Sequence, residues 1–277
     1  MRLGAPIFEA HAGPEEWVRA VQRAGYRAAY CPLEPGADER SVAAYRRAAQ
    51  RADIVIAEVG AWSNPLSPDE PTRREALQKC QRCLELADRI GARACVNVAG
   101  SRGDRWDGPS PLDLQEDTFD LIVESVRAII DAVRPARACY TLETMPWMYP
   151  DSPESYLRLL QAVDRERFAV HLDPVNLICS PQRYFANAEL LRSCFRLLGP
   201  HIRSCHAKDI LLRDHLTTHL DEVRPGLGQL DYGTYLRELA ALPGDVPLMI
   251  EHLSDEGEYR LADEYIRRKA LEAGVQL

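Results

Sequence analysis

Three features of the sequence predict an α/β fold, specifically a (β/α)8 or TIM barrel. Short apolar runs alternate with amphipathic helical segments about eight times along 277 residues. The runs are apolar on both faces, as parallel strands covered on both sides require. No linker, repeat or low-complexity segment breaks the chain, so residues 1–277 are read as a single domain. Strict alternation implies a parallel sheet, and eight units close it into a barrel. An open doubly wound sheet is the competing arrangement, but no G-x-G-x-x-G follows the first strand.

The first strand is expected at 3–8, and Gly13-Pro14 then opens a helix to residue 24, with proline at the first helical position. A second strand at 26–32 leads to a helix over 38–51, and DIVIAEV at 53–59 is the third strand. Ser67-Pro68-Asp69-Glu70 reads as a capping box that starts a long helix ending near residue 90. ARACVNVA at 92–99 is the fourth strand, followed by a glycine-containing loop and a helix over 111–133. The fifth strand is 138–143, and Ser152-Pro153 caps the helix after it. The sixth strand is 168–173, with Ser180-Pro181 capping its helix. After the seventh strand at 202–206, an irregular stretch at 213–228 precedes a helix at 232–241. Within that stretch Pro225-Gly226-Leu227-Gly228 reads as a lid or subunit-contact element. The eighth strand is 246–251 and the last helix 256–273.

A hydrophobic content of 46% and a charged content of 27% are those of a soluble globular protein. The net charge is −8 and no basic run occurs, which argues against nucleic acid as a partner. No window approaches the ~18 uninterrupted apolar residues of a membrane span, so no membrane partner is expected. The N-terminal segment lacks an apolar core, so no signal peptide is expected. Several of the eight cysteines lie inside apolar runs and read as free thiols in a reducing cytoplasm. Cys80 and Cys83, on a helix flank without a second pair, read as structural.

The chemistry-bearing stretch is FAVHLDPVN at 168–176. Alternation puts His171 and Asp173 on one face of the strand, and Asp-Pro stops it. Three other strands also end on ligand-type residues: CYTLE at Glu143, IRSCH at His206 and PLMIE at Glu251. The four strands are neighbours in the predicted barrel, and their C-terminal ends form the face that carries active sites. Glu143, Asp173, His206 and Glu251 point inward if Leu142, Leu172, Cys205 and Ile250 pack on helices. Three converging carboxylates would repel strongly without a cation. One divalent metal resolves the conflict; oxygen-rich ligation with one imidazole suits Mn2+ first, with Mg2+, Co2+ or Zn2+ as alternatives.

HLDPVN, CHAKD, the LET ending of the fifth strand and the IEH ending of the eighth resemble the xylose isomerase-like sugar phosphate isomerase/epimerase family of TIM barrels. Strand order extends the resemblance over nearly the whole chain. The resemblance implies that Glu143, Asp173, His206 and Glu251 hold the metal. It also implies that Glu143 and Glu251 exchange a proton on opposite faces of a sugar through a metal-bound enediolate. The ketose epimerases carry a histidine three residues after the aspartate, where this chain has Asn176. Lys208-Asp209 after His206 is instead similar to the HxKD members that resemble inosose dehydratases. Isomerase or epimerase action on a small sugar is therefore the first expectation. A dehydratase or lyase acting on a keto-sugar, cyclitol or keto-glycoside at the same site is the alternative. An abasic-site nuclease resembling endonuclease IV ranks below both, because the chain is acidic and has only seven histidines. A non-catalytic subunit or sugar sensor is the remaining class.

Lys208 is suited to holding a substrate oxygen or donating a proton, and a salt bridge to a rim carboxylate is the plain reading. His171, Asn176 and Glu58 are candidate substrate-binding groups, with core packing, orientation of a ligand and turn capping as their plain readings. Trp62, Trp106 and Trp147 follow strands, where flat aromatic faces suit a sugar pocket or, in a homo-oligomer, a subunit contact. Arg102 and Arg105 read as solvated surface, Glu9 as a remote acid, and His252 as facing away from Glu251.

Overall fold

The computed structural model describes all 277 residues. Nine strand segments form one parallel sheet in the order β3-β2-β1-β11-β8-β7-β6-β5-β4. They are β1 (Arg2–Gly4), β2 (Ala28–Ala29), β3 (Val55–Ile56), β4 (Glu58–Gly60), β5 (Ala94–Asn97), β6 (Cys139–Glu143), β7 (Phe168–Leu172), β8 (Ile202–Ala207) and β11 (Pro247–Ile250). The two ends of that order, β3 and β4, are halves of one run separated by Ala57, whose N–H donates to Ala29 while its carbonyl accepts from Ala94. The sheet therefore closes on itself, giving the predicted eight-stranded barrel with its helices outside.

The helices are α1 (Pro14–Arg23), α2 (Glu39–Arg51), α3 (Glu70–Ile90), α4 (Glu116–Val133), α5 (Pro153–Val163), α6 (Pro181–Phe185), α7 (Asn187–Leu198), α8 (Tyr232–Ala241) and α9 (Glu256–Ala273). Their apolar faces and the outward strand residues make one large core that contains Leu142, Leu172, Cys205 and Ile250. The alternation therefore leaves Glu143, Asp173, His206 and Glu251 to the barrel interior. Gly4 shows how tight that interior is: a Cβ there would lie 2.4 Å from the Ala28 carbonyl oxygen. No helix is long and apolar enough to cross a membrane.

Several boundaries differ from the expectation, each for a local reason. The cap of α3 is Asp69, which accepts from the Thr72 N–H, and Ser67 instead accepts from Asp69 N–H. Helix α4 starts at Glu116 and not at 111, because the Asp113 carboxylate is turned back onto Ser101 Oγ (2.7 Å) and the Arg102 N–H (2.8 Å). Ser152 does cap α5, in a reciprocal box with Ser155. Ser180 caps α6, which breaks at Ala186 before α7 begins. The first strand spans only Arg2–Gly4.

The largest correction lies in the stretch read as irregular. Strands β9 (Asp209–Leu212) and β10 (Leu220–Val223) form an antiparallel hairpin there. The loop after it is tied to Asp209, a fully buried carboxylate that accepts the N–H groups of Ile210, Gly226, Gly228 and Leu230 at 2.9–3.1 Å. A Cβ on Gly228 would lie 2.3 Å from the Ile210 carbonyl oxygen, so only glycine fits that turn.

Candidate metal centre

Four strand ends deliver four donor atoms to one place. Glu143 closes β6, His206 lies near the end of β8, and Asp173 and Glu251 directly follow β7 and β11. One donor atom from each lies within 4.8 Å of the other three, and all four residues are buried. The backbone is pinned around them. The Thr144 hydroxyl donates to the Asp173 carbonyl (2.6 Å), and Asp173 N–H donates back to it (3.1 Å). Tyr235 and Tyr232 hydroxyls donate to the carbonyls of His206 and Lys208, each at 2.8 Å.

The hydrogen bonding sorts each side chain into a used end and a free end. Asp173 Oδ1 accepts from Val175 N–H at 3.0 Å, while its buried Oδ2 makes no well-directed hydrogen bond and has only the Lys208 ammonium beside it. His206 Nε2 meets Glu58 Oε1 at 3.2 Å, while its buried Nδ1 makes none. Glu251 Oε1 is equally orphaned, although it lies 2.7 Å from that Nδ1. Glu143 Oε1 accepts from Asn176 Nδ2 at 3.1 Å and lies 3.5 Å from His206 Nδ1. Buried polar atoms are ordinarily satisfied. Three buried atoms that make no well-directed hydrogen bond, with a fourth carboxylate beside them, match in number and chemistry the donors of an oxygen-rich cation site. The residues present therefore fit a divalent cation.

Lys208 supplies one positive charge to this set. Its buried Nζ lies 2.7 Å from Glu251 Oε1, 2.8 Å from Asp173 Oδ2, 3.4 Å from Glu222 Oε2 and 3.6 Å from Glu143 Oε1. Burial would raise the Glu143 carboxyl, but Lys208 and His206 hold it well below the usual carboxylate range. Asp173 goes the other way: burial, together with the facing Glu143 and Glu251 charges, outweighs Lys208 and pushes it up to about 7. Burial disfavours a charged His206 ring, but Glu251, Glu58 and Glu143 outweigh it and raise its pKa well above the usual imidazole value, so the carboxylates draw on His206 as well as Lys208 for positive charge.

The remaining predicted residues fall into separate groups. Glu58 and His171 lie behind His206, on the side away from the free Nδ1, and are 2% and 0% exposed. His171 Nδ1 meets Ser204 Oγ at 2.6 Å and Glu58 Oε2 at 3.5 Å. Its ring stands edge-on to His206, 4.0 Å between centroids. Burial, with the neighbouring His206, takes its pKa down to about 4. Glu58, His171 and His206 form a second buried group whose donor atoms lie within 4.8 Å of one another. Asn176 directs its amide to Glu143, as described above. Trp62, Trp106 and Trp147 are partly exposed and form no hydrogen bond with the four donors; Trp147 Nε1 donates to the Asp107 carbonyl (2.9 Å), joining two loops. Arg102 pairs with Asp117 and Arg105 with Asp107, each at 2.7 Å, and Glu9 pairs with Arg23 at the surface. Cys80 and Cys83 are buried free thiols in α3.

His252 departs from its expected direction. Its backbone is left-handed (φ 58°), which turns the imidazole back to within 3.1 Å of Glu222 Oε1 and 3.7 Å of Glu251 Oε2. Glu222 itself was invisible in the sequence because the hairpin that carries it was not foreseen. Ser204 had a signal: alternation in IRSCH puts it on the face of His206, two residues below.

The chain matches the family described as xylose isomerase-like TIM barrel over residues 18–273. No curated protein matches it significantly. Many solved structures share its fold, and three of them illustrate the low identity. A xylose isomerase-like TIM barrel protein from Mycobacterium smegmatis, in complex with magnesium, is 16% identical, with a TM-score of 0.68 over 98% of this chain and 97% of that one. The probable 3-DHS dehydratase AsbF of petrobactin synthesis from Bacillus anthracis is 16% identical, with a TM-score of 0.71 over 98% and 99%. A D-psicose 3-epimerase with D-tagatose from Clostridium cellulolyticum H10 is 15% identical, with a TM-score of 0.66 over 99% and 96%. At these identities the likeness is one of fold.

Proposed function

The chain belongs to the xylose isomerase-like TIM barrel family, and from that premise we propose that it is a divalent-metal-dependent enzyme acting on a small sugar or keto-sugar. It removes the proton next to a carbonyl and returns it to give an epimer or an isomer. The observation that carries this reading is the convergence of buried donor atoms from Glu143, Asp173, His206 and Glu251 within 4.8 Å of one another. These four residues would hold the cation, Mn2+ by preference. When bound, it would polarise a carbonyl and offset charge developing on its oxygen.

The chain's own residues supply the proton chemistry. Glu143 and Glu251 stand at the ends of two different strands, and the family resemblance gives them the two proton-transfer roles on opposite faces of a sugar carbon. Asn176 fixes the Glu143 carboxylate by its hydrogen bond. Glu58 holds His206 by Nε2, which keeps Nδ1 turned to the donor set. Lys208 places a buried ammonium against Asp173 Oδ2 and Glu251 Oε1, the same oxygens that would meet the cation, and is suited to hold a substrate hydroxyl or donate to one.

Lys208 also favours a second reading. An ammonium beside the base can protonate a departing hydroxyl, which turns proton abstraction into elimination of water or of a glycosidic alcohol. Cyclitols and keto-glycosides are substrates for that outcome. A panel of keto-sugars, cyclitols and glycosides incubated with Mn2+ in deuterated water separates the readings. Deuterium at the carbon next to the carbonyl in an epimer or isomer supports the first; an unsaturated carbonyl product supports the second. An epimer formed with no solvent deuterium at that carbon overturns proton removal by one carboxylate and its return by the other.

A further inference from the structure

The opposite end of the barrel carries an unusual concentration of positive charge. Four neighbouring strands each have an arginine at their N-terminal ends: Arg93 before β5, Arg137 before β6, Arg167 before β7, and Arg203 as the second residue of β8. With Arg46 from α2 they line a single open basin of about 520 Å3 whose only carboxylate is Glu166. That volume is in the range of small-molecule sites.

The balance of charge differs across this one face. On the β1–β2 side, Arg2 pairs with Asp53 and Asp245 at 2.8 Å each, and Arg27 also pairs with Asp53. In the basin, only Arg167 has a carboxylate within ion-pair distance, Glu166 at 3.7 Å. The Arg46, Arg137 and Arg203 guanidinium groups donate instead to backbone carbonyls, of Arg89, of Asp88, and of Pro200 and Ile202 respectively. These contacts orient the forks without neutralising them. Such a cluster stands out in a chain of net charge −8. Like charges gathered without counter-charges repel, and planar guanidinium forks match phosphate oxygens two at a time.

We propose that this basin is a binding site for a small soluble anion bearing at least two phosphate-type charges, separate from the metal centre at the other end of the barrel. Occupancy would bridge the starts of β5 to β8; three of these, β6, β7 and β8, lead to Glu143, Asp173 and His206, and Glu251 follows the neighbouring β11. Binding there therefore stabilises the half of the barrel that holds the donor set.

The test is calorimetric titration of the full-length protein with inorganic pyrophosphate at fixed ionic strength. The same titration is run on an Arg137→Gln/Arg203→Gln variant and on Glu251→Gln. Pyrophosphate also chelates metals, and the Glu251→Gln arm separates the two sites. The expected result is saturable binding of one pyrophosphate per chain, kept in Glu251→Gln and weakened at least tenfold in the double variant. Equal binding by the double variant, or loss only in Glu251→Gln, overturns the proposal. So does absence of pyrophosphate binding, whether or not the protein binds duplex DNA. Arg137 is exposed and Arg203 half-buried, and a thermal melt of the double variant without ligand checks that it folds.

Discussion

His206 is fixed by the carboxylate behind it. Glu58 Oε1 meets Nε2 at 3.2 Å, which leaves Nδ1 as the free nitrogen of a buried ring. Partners of this kind raise the basicity of a ligating imidazole and fix its direction. Glu58→Gln can still accept a hydrogen bond but lacks the charge. We expect an intact fold and a divalent-metal affinity lower by ~10–100-fold in calorimetric titration; unchanged affinity would show that Glu58 is only core filling. Glu251→Gln removes one charged donor and should abolish turnover while circular dichroism stays unchanged. Full activity in that variant would remove Glu251 from the chemistry. At this scale the four donors were legible because each ends a strand, where alternation and the barrel rule together assign a face and an end. The partners of the donors were less legible. Asn176 could be seen near the site, but its use on Glu143 depends on the 3-10 turn Val175–Leu177 that follows Asp173. The turn of His252 toward Glu222 depends on a positive φ that the sequence does not announce.

Asp209 organises the element that the sequence left unresolved. One buried carboxylate collects four backbone N–H groups and so folds the 225–230 loop against the β9–β10 hairpin. Asp209→Ala would leave those donors without an acceptor. Each unsatisfied buried group costs on the order of 1–3 kcal/mol, and the four are coupled, so a loss of roughly 3 kcal/mol or more is expected in denaturant unfolding. A change below about 1 kcal/mol would mean that water replaces the carboxylate. Ser152→Ala is a milder case: loss of the cap of α5 should cost about 1 kcal/mol. Helix starts with a single plausible cap were readable, as Ser152 and Ser180 show. Where two caps compete within three residues the sequence does not decide. At 67–70 Asp69 holds Thr72 through both its N–H and its hydroxyl, and Ser67 is left to turn the chain before it.

The whole molecule divides by end. The C-terminal end of the barrel gathers buried carboxylates around His206 and Lys208, and the N-terminal end gathers arginines. The alternation of apolar runs and helices made the barrel itself legible, since parallel strands buried on both faces leave few other arrangements. The basin was not legible, because its five arginines are spread from position 46 to 203 and only the register of β5 to β8 brings them together. A cation held by four strand ends should also stabilise the fold as a unit. At a concentration one hundred times its Kd it contributes about 2.7 kcal/mol, visible as a rise of several degrees in Tm.

The most direct test of the central claim is metal titration of the stripped and desalted protein with Mn2+, followed by calorimetry and elemental analysis. Saturable binding of one ion per chain, lost in Asp173→Asn, is the predicted result. A wild-type protein that takes up no ion, or an Asp173→Asn variant that binds it equally well, would contradict the account.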